Sequence, residues 1–139
     1  MTVLVTGGAG YVGSHAVKEL RASGIPCVIL DNLRRGHREL ALDTELVVGD
    51  IADASLVAQI IAKHRVTAVM HFAAFAYVGE SMQDPAMYYR NNVAATATML
   101  ETIIRSGVRM FAPGDPSRVR DARESSLSQS KVPAAVARR

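Results

Sequence analysis

Cysteine and tryptophan are nearly missing from this sequence. Among its 139 residues, Cys27 is the only cysteine, and there is no tryptophan. A single cysteine excludes an internal disulfide and any zinc site with several cysteine ligands. The histidines have no paired ligands at metal spacing, so the sequence predicts no metal site.

Long apolar runs are also missing. The longest weakly polar stretch, residues 68–79, contains His71 and is shorter than the roughly 20 residues that a membrane-spanning helix needs. The first residues, MTVLVTGG, have neither the basic start nor the cleavage site of a secretory signal. The sequence therefore predicts a cytoplasmic protein with no membrane partner.

Aromatic residues are scarce, at 5% of the chain, and all of them precede residue 112. Residues 117–139 carry six basic and two acidic side chains, so this tail accounts for the net charge of +3. A basic tail can attract nucleic acid without sequence specificity, or it can be a solvated chain end. Because no aromatic side chain is available there to stack on bases, we expect no nucleic-acid partner.

Strand and helix patterns alternate along residues 1–112. Short apolar, β-branched runs typical of buried parallel strands occur at residues 2–6, 26–31, 45–50, 67–73 and 108–112. Helical periodicity occurs at residues 11–23, 54–64 and 85–107, the second after the N-cap Asp53. This alternation predicts an α/β fold with a doubly wound, Rossmann-like parallel sheet. Proline and glycine break the pattern at residues 113–116, so we expect one domain over 1–112 and an irregular basic tail over 113–139.

A glycine-rich turn follows the first strand. Gly7, Gly10 and Gly13 form G-x-x-G-x-x-G, which overlaps a G-x-G-x-x-G pattern beginning at Gly8. Between a strand and a helix, such glycines let the backbone approach a pyrophosphate, and the helix N-terminus offers free N–H groups to it. The alternative is that the glycines only make a sharp turn.

An acidic residue ends the second strand, as a ribose-binding site requires. Asp31 lies 18 positions after Gly13, near the spacing of about 20 expected for a carboxylate that binds adenosine hydroxyls. A 2′-phosphate would meet a like charge there, which favours NAD over NADP, although Arg34 and Arg35 could neutralise that phosphate. Asp50 and Ile51 could bracket the adenine, or Asp50 could only cap the next turn.

Five sequence blocks together resemble a known family. They are VLVTGGAGYVGSH at 3–15, DNLRRGH at 31–37, GDI at 49–51, HFAAFAYVGES at 71–81 and YYRNNV at 88–93. With these blocks, residues 1 to about 112 resemble the N-terminal half of the UDP-glucose 4-epimerases, which are extended short-chain dehydrogenases/reductases.

This resemblance implies a set of NAD-binding residues. Tyr11 and Val12 would lie on the pyrophosphate turn. The adenosine ribose would be held by Asp31, Asn32 and Leu33, and the adenine by Asp50 and Ile51. The remaining cofactor contacts would come from Phe72, Ala73, Ala74, Phe75, Ala76 and Asn91. Some family members carry a lysine in place of Ala76, so that charged contact is absent here.

The resemblance also implies a reaction and shows where this chain departs from it. In the family, bound NAD is a transient hydride acceptor at C4 of a UDP-sugar. A tyrosine with a lysine four residues later serves as the base. The tyrosines here are 11, 77, 88 and 89, and none has a lysine at that distance. We therefore expect a chain truncated before its catalytic residues and sugar-binding lobe, with a frameshifted or truncated reading frame as the plainest explanation, and no epimerisation by the chain alone.

Other interpretations remain open. The same set of predicted NAD-binding residues would suit another nucleotide-sugar epimerase or dehydratase. It would also suit a non-catalytic NAD-binding module. In the related proteins the long helix that begins near Tyr88 joins a subunit interface, so a homodimer is one expectation and simple packing is the other. A lone histidine in an apolar strand, such as His71, is predicted to be a hydrogen-bonded core residue rather than a catalyst.

Overall fold

A computed structural model describes residues 1–114 of this chain, and the expected irregular tail beyond residue 114 lies outside the described residues. Five parallel strands form one sheet in the order β3-β2-β1-β4-β5. The strands are β1 (Thr2–Thr6), β2 (Cys27–Asp31), β3 (Leu46–Val48), β4 (Val66–His71) and β5 (Met110–Pro113). The helices are α1 (Tyr11–Ala22), α2 (Ala54–His64), α3 (Val78–Gln83), α4 (Pro85–Tyr88) and α5 (Thr96–Arg105), with a 3₁₀ turn at Arg38–Ala41 and a π-helical segment at Tyr89–Ala95. The predicted Rossmann-like sheet is confirmed.

Side chains of the central strands alternate between two apolar layers, as the period of two in a strand requires. On one face Val3, Val5 and Ile29 pack with Val17 of α1. The layer on the other face joins the sheet to α2 and α5. Its buried members are Leu4, Val28, Leu30, Ile51, Val57, Ile60, Ile61, Val66, Val69, Ala95, Met99 and Ile103. Helices therefore cover both faces of the sheet, which explains why its strands read as continuous apolar runs.

The direction of winding reverses beside β1. The chain passes from β1 to β2 and β3 on one side, then returns to place β4 and β5 on the other side. In open α/β sheets, ligands bind outside the carboxyl ends of the strands at such a reversal. Gly7 follows β1, Asp31 ends β2 and Phe72 follows β4, so the predicted cofactor residues converge at this edge.

The predicted long helix is present but is not a uniform α-helix. Residues 85–105 are helical throughout, as α4, the π-helical segment and α5. The start follows the expected signals, with Pro85 in the first turn and the Asp84 side chain accepting the N–H of Met87 at 2.9 Å. A π-helical turn inside an α-helix is uncommon and frequently marks a functional site.

The apolar positions that predicted this helix were Val93, Ala97, Leu100 and Ile104, and all but the half-buried Leu100 are exposed. Val93 and Ile104 are 56% and 67% exposed, and Ala97 is also exposed. Ala95, Met99 and Ile103 enter the core instead. The helical period was read correctly, but the face that packs on the sheet is the neighbouring one.

The last strand begins later than the sequence predicted. Val108 remains tied to the end of α5, because its N–H donates to the carbonyl of Ile103 at 3.2 Å, and β5 therefore begins at Met110. The strand also extends beyond the predicted boundary at residue 112, since Pro113 pairs with His71 and the N–H of Gly114 donates to the carbonyl oxygen of His71 at 2.6 Å. Pro113 is tolerated because β5 lies at the edge of the sheet.

No helix within residues 1–114 is long and apolar enough to cross a membrane. In the same part of the chain, no group of three or more His, Cys, Asp or Glu side chains is arranged to hold a metal ion.

Candidate functional site

A cleft of about 290 Å³ lies at the carboxyl ends of β1, β2 and β4. All but two of the predicted site residues line it: Gly7, Gly10, Tyr11, Val12, Gly13, Asp31, Asn32, Ile51, Phe72, Ala73, Ala74, Phe75, Ala76 and Asn91. The lining also includes residues that were not predicted: Leu30, Arg35, Gly36, Gly49 and Tyr77. The two predicted residues outside the lining are Leu33 and Asp50.

Two glycines of the turn are required by the backbone around them. A Cβ at Gly7, which has φ +73°, would lie 2.6 Å from the amide nitrogen of Ala73. A Cβ at Gly13 would lie 2.2 Å from the carbonyl oxygen of Gly7. Both neighbours are backbone atoms that cannot swing aside. Any side chain would separate α1 from the turn and β1 from β4, so the floor of the cleft depends on these glycines.

Helix α1 presents its N-terminus to the cleft. Gly10 is its N-cap and has no side chain to bond the first amides, and the first turn carries no acidic residue. The N–H of Ser14 is the first to bond within the helix, donating to Gly10 at 2.9 Å. The amides of residues 11–13 precede that bond, and those residues line the cleft. This arrangement suits an anionic ligand, because free N–H groups and the positive end of the helix dipole coincide.

Asp31 joins the glycine turn to the loop after β2. Its side chain is only 8% exposed, and its Oδ2 accepts the N–H of Ala9 at 3.0 Å. Its Oδ1 accepts the N–H of Leu33 at 2.9 Å, and Leu33 adopts a left-handed φ of +56° to make this bond. Each carboxylate oxygen can accept more than one bond, so Asp31 can still accept from a ligand. Leu33 therefore contributes a backbone turn next to Asp31, and a contact from Leu33 to the ribose stays a prediction.

Asp50 lies outside the cleft lining and makes the capping contact considered for it, together with a bond to Asn32 that was not predicted. Its Oδ1 accepts the N–H of Ala52 at 2.9 Å, which caps the following turn. Its Oδ2 accepts from Asn32 Nδ2 at 3.1 Å, which fixes a residue that lines the cleft. Next to it, Ile51 is buried and supplies apolar lining. A direct contact from Asp50 to adenine stays a prediction.

The opposite wall, residues 72–77, is fixed by two asparagines of the π-helical segment. Asn92 bonds both backbone groups of Phe75, accepting its N–H at 2.8 Å and donating to its carbonyl at 2.9 Å. Asn91 donates to the carbonyl of Ala73 at 3.1 Å. Sequence reasoning proposed Asn91 and missed Asn92. A signal was present, because asparagine is unfavourable inside a helix unless its side chain has a specific partner.

A charged and aromatic cluster closes the cleft at Arg35. Its guanidinium carbon lies 4.3 Å from the centre of the Phe75 ring and 4.7 Å from that of Tyr77. Glu80 of α3 forms an ion pair with it, and this pairing holds the pKa of the Glu80 carboxyl below its usual value. Tyr88 Oη lies 2.8 Å from Glu80 Oε2. Loss of hydration raises the pKa of Tyr88, and the hydrogen bond to the Glu80 carboxylate raises it further. A tyrosine that serves as a catalytic base needs a lowered pKa, so the shift at Tyr88 has the wrong direction for that role.

His71 has the structural role predicted for it. Its Nδ1 lies 2.7 Å from Thr6 Oγ1 and its Nε2 lies 3.2 Å from Thr96 Oγ1, so both ring nitrogens have partners. Burial lowers the pKa of the imidazole. The prediction of a hydrogen-bonded core histidine is confirmed.

Comparison with known proteins gives one family for this chain. The model of the NAD dependent epimerase/dehydratase family matches residues 3–114. The UDP-glucose 4-epimerase of Rhizobium meliloti (strain 1021) is 44% identical over 109 residues, which are 78% of this chain and 33% of the relative.

Two solved structures show the same similarity in three dimensions. The UDP-glucose 4-epimerase of Thermus thermophilus, in complex with NAD, has a TM-score of 0.76 and 38% identity over 80% of this chain and 36% of its own. DesIV, a dTDP-glucose 4,6-dehydratase from Streptomyces venezuelae with NAD and TYD bound, has a TM-score of 0.73 and 36% identity over 79% of this chain and 38% of its own. The present chain spans about a third of the length of the curated relatives it matches.

Proposed function

The chain belongs to the NAD dependent epimerase/dehydratase family, and from that premise we propose that its cleft binds NAD. The observation that carries the proposal is the presence of free α1 amides and the Asp31 carboxylate in one cleft, joined through the N–H of Ala9, which donates to Asp31. The amides suit a pyrophosphate and the carboxylate suits two ribose hydroxyls. When bound, NAD would supply a hydride acceptor for a substrate C–H. The residues of this chain would bind and orient it.

Thermal unfolding with and without NAD tests this proposal. A ligand that binds only the folded state adds RT ln(1 + [L]/Kd), or about 2.7 kcal/mol at one hundred times Kd. For a domain of this size, that corresponds to a rise in Tm of roughly 10 °C or more. We expect this rise with NAD, and a Tm that does not move at saturating NAD would contradict the proposal.

For the substrate, we propose a UDP-sugar that is epimerised at C4, between UDP-glucose and UDP-galactose. The similarity to the UDP-glucose 4-epimerases supports this choice. None of the four tyrosines has a lysine four residues later, and the hydroxyl of Tyr88 is hydrogen-bonded to Glu80. The 139-residue chain by itself should therefore bind NAD without turning over UDP-galactose. Turnover by the purified chain above a blank would overturn this expectation.

A second candidate substrate class is a sugar of another nucleotide, acted on by a dehydratase. The similarity to DesIV supports it at nearly the same identity as the epimerase structure. A non-catalytic NAD-binding module is the remaining alternative. Assays with UDP-galactose and with dTDP-glucose, on any longer protein that contains this chain, distinguish the three, since each predicts a different product or none.

We also propose that the long helix, residues 85–105, pairs two copies of the protein. Tyr89, Val93 and Ile104 are 69%, 56% and 67% exposed and lie on one side at spacings of a helical turn or its multiples. An apolar stripe of this kind is typical of a helix that packs on a partner.

A cytoplasmic location remains a prediction of the sequence.

A further inference from the structure

Two arginines follow Asp31 in the loop after β2, and the segment after β4 engages both. Arg35 lies over the rings of Phe75 and Tyr77. Arg34 lies 5.3 Å from the centre of the Phe75 ring, and its Nη2 contacts Met87 Sδ at 3.4 Å. The guanidinium groups therefore bridge the two walls of the cleft.

The charge of Arg35 is matched by Glu80. The two side chains form an ion pair and are 28% and 39% exposed. Glu80 is itself held, because Tyr88 Oη lies 2.8 Å from its Oε2 and also accepts the N–H of Tyr77 at 2.9 Å. Glu80 does not line the cleft, whereas Arg35 does. Glu80 can therefore influence a ligand through Arg35.

The position of Arg35 makes this pairing important for the choice of dinucleotide, if the cleft binds NAD as proposed above. Arg35 lines the same cleft as Asp31, and at the next residue, Gly36, a Cβ would lie 2.7 Å from Asp31 Oδ1, so the loop that carries Arg35 passes close to the proposed ribose site. A 2′-phosphate there would be repelled by Asp31, and an arginine nearby is the group that accommodates such a phosphate. A free Arg35 could offset the repulsion. An Arg35 stacked on two rings and paired with a carboxylate offsets it much less.

We propose that Glu80 is a specificity-determining residue that makes the cleft prefer NAD to NADP by holding Arg35 on the aromatic wall. Asp31 supplies the repulsion, and Glu80 keeps Arg35 from offsetting that repulsion. Glu80 acts as a positioning residue, because its effect on the ligand passes through Arg35. The preference therefore depends on two residues that lie far apart in the sequence, in the loop after β2 and in α3.

Calorimetric titration of the full chain with NAD and with NADP, at one ionic strength, tests the role of Glu80. Glu80→Gln keeps a partner for Tyr88 and removes the charge that holds Arg35. We expect it to shift the NADP-to-NAD affinity ratio toward NADP about three- to fivefold, the size expected for one partly exposed ion pair. Glu45→Gln is the matched control, because it removes the same charge from the surface pair with Lys63, outside the cleft. The ratio should not move in this control.

A double variant, Glu80→Gln with Arg35→Gln, identifies the group responsible. The gain in NADP affinity should disappear in it, because the released cation is gone. An unchanged ratio in Glu80→Gln would overturn the proposal, and so would a gain that persists without Arg35. If wild type binds NAD in either of those cases, the proposed NAD binding is kept and only the role of Glu80 is rejected. Wild type that binds neither dinucleotide would overturn both.

Discussion

Asn92 bonds both the N–H and the carbonyl of Phe75, at 2.8 and 2.9 Å, and thereby ties the π-helical segment to the wall of the cleft. The two residues are separated by α3 and α4, so this bond pair closes a sizeable loop. It also fixes the ring that lies beneath Arg35. The wall of the proposed NAD site is thus built by a residue that lies outside the cleft lining.

Replacing Asn92 should loosen this wall. Asn92→Ala leaves two half-buried backbone groups of Phe75 without partners, which costs about 1–3 kcal/mol of folding free energy. Hydrogen exchange at the Phe75 amide should accelerate in this variant. Asn92→Asp is the matched control, since it keeps the acceptor for that N–H and loses only the donor to the carbonyl. Equal exchange in wild type and Asn92→Ala would contradict this role.

The glycines of the chain should respond differently to alanine. At Gly13 the added Cβ meets the Gly7 carbonyl at 2.2 Å, so Gly13→Ala should lower the free energy of unfolding by about 1–3 kcal/mol and weaken NAD binding. At Gly79, in α3, a Cβ meets no atom within 4 Å, and Gly79→Ala should raise stability by roughly 0.4–1 kcal/mol. Denaturant unfolding measures both. A Gly13→Ala protein as stable as wild type would contradict the close approach of α1 to the turn.

Stability should depend on pH through His71. Its pKa in the folded protein is lowered by burial from an ordinary value of 6.5, so between the two values the unfolded chain binds more protons. This contribution is fully present above about pH 6.5 and is lost as the pH falls through that window. His71→Gln should be less stable at neutral pH but show a flatter profile between pH 7 and 5. Parallel profiles for wild type and variant would contradict it.

The exposed stripe on the long helix predicts self-association. Val93→Glu combined with Ile104→Glu places charge on the exposed side without touching the core residues Met99 and Ile103. Sedimentation equilibrium should find a dimer for wild type and a monomer for the double variant. Exchange of the exposed Val48 for glutamate, away from the helix, serves as the control and should leave the dimer intact. A wild-type monomer at high protein concentration would rule out this interface.

Local signals predicted the scaffold well. Neighbouring residues specify three of its features: the turn from Gly7 to Gly13, the buried strand β1 and the helix cap at Asp53. The Asp53 side chain accepts the N–H of Leu56 at 3.0 Å. Because each needs only a short stretch of chain, the alternation of strands and helices and the position of the cleft followed from them. Helix α3 was missed, since six residues are too few to show helical periodicity.

Contacts between distant segments were beyond such reasoning. Arg35 and Glu80 have no common sequence pattern, and only the sheet order brings the loop after β2 next to α3. The side of the long helix that packs on the sheet was predicted wrongly for a similar reason, because Val93 and Met99 are both apolar and both fit a helical period. Tertiary packing selected Met99 for the core.

If Asp31 and the amides of α1 together hold NAD, calorimetric titration of three proteins with NAD will show the contribution of the carboxylate. Wild type should bind NAD, and Asp43→Asn, which removes a carboxylate outside the cleft from a residue at φ +55° where asparagine is tolerated, should bind equally well. Asp31→Asn should bind about tenfold more weakly or worse, because a hydrogen bond to a charged group contributes roughly 1.5–3 kcal/mol. No saturable heat from wild type would show that the cleft does not bind NAD. Equal affinity in wild type and Asp31→Asn would show that the Asp31 carboxylate does not hold it.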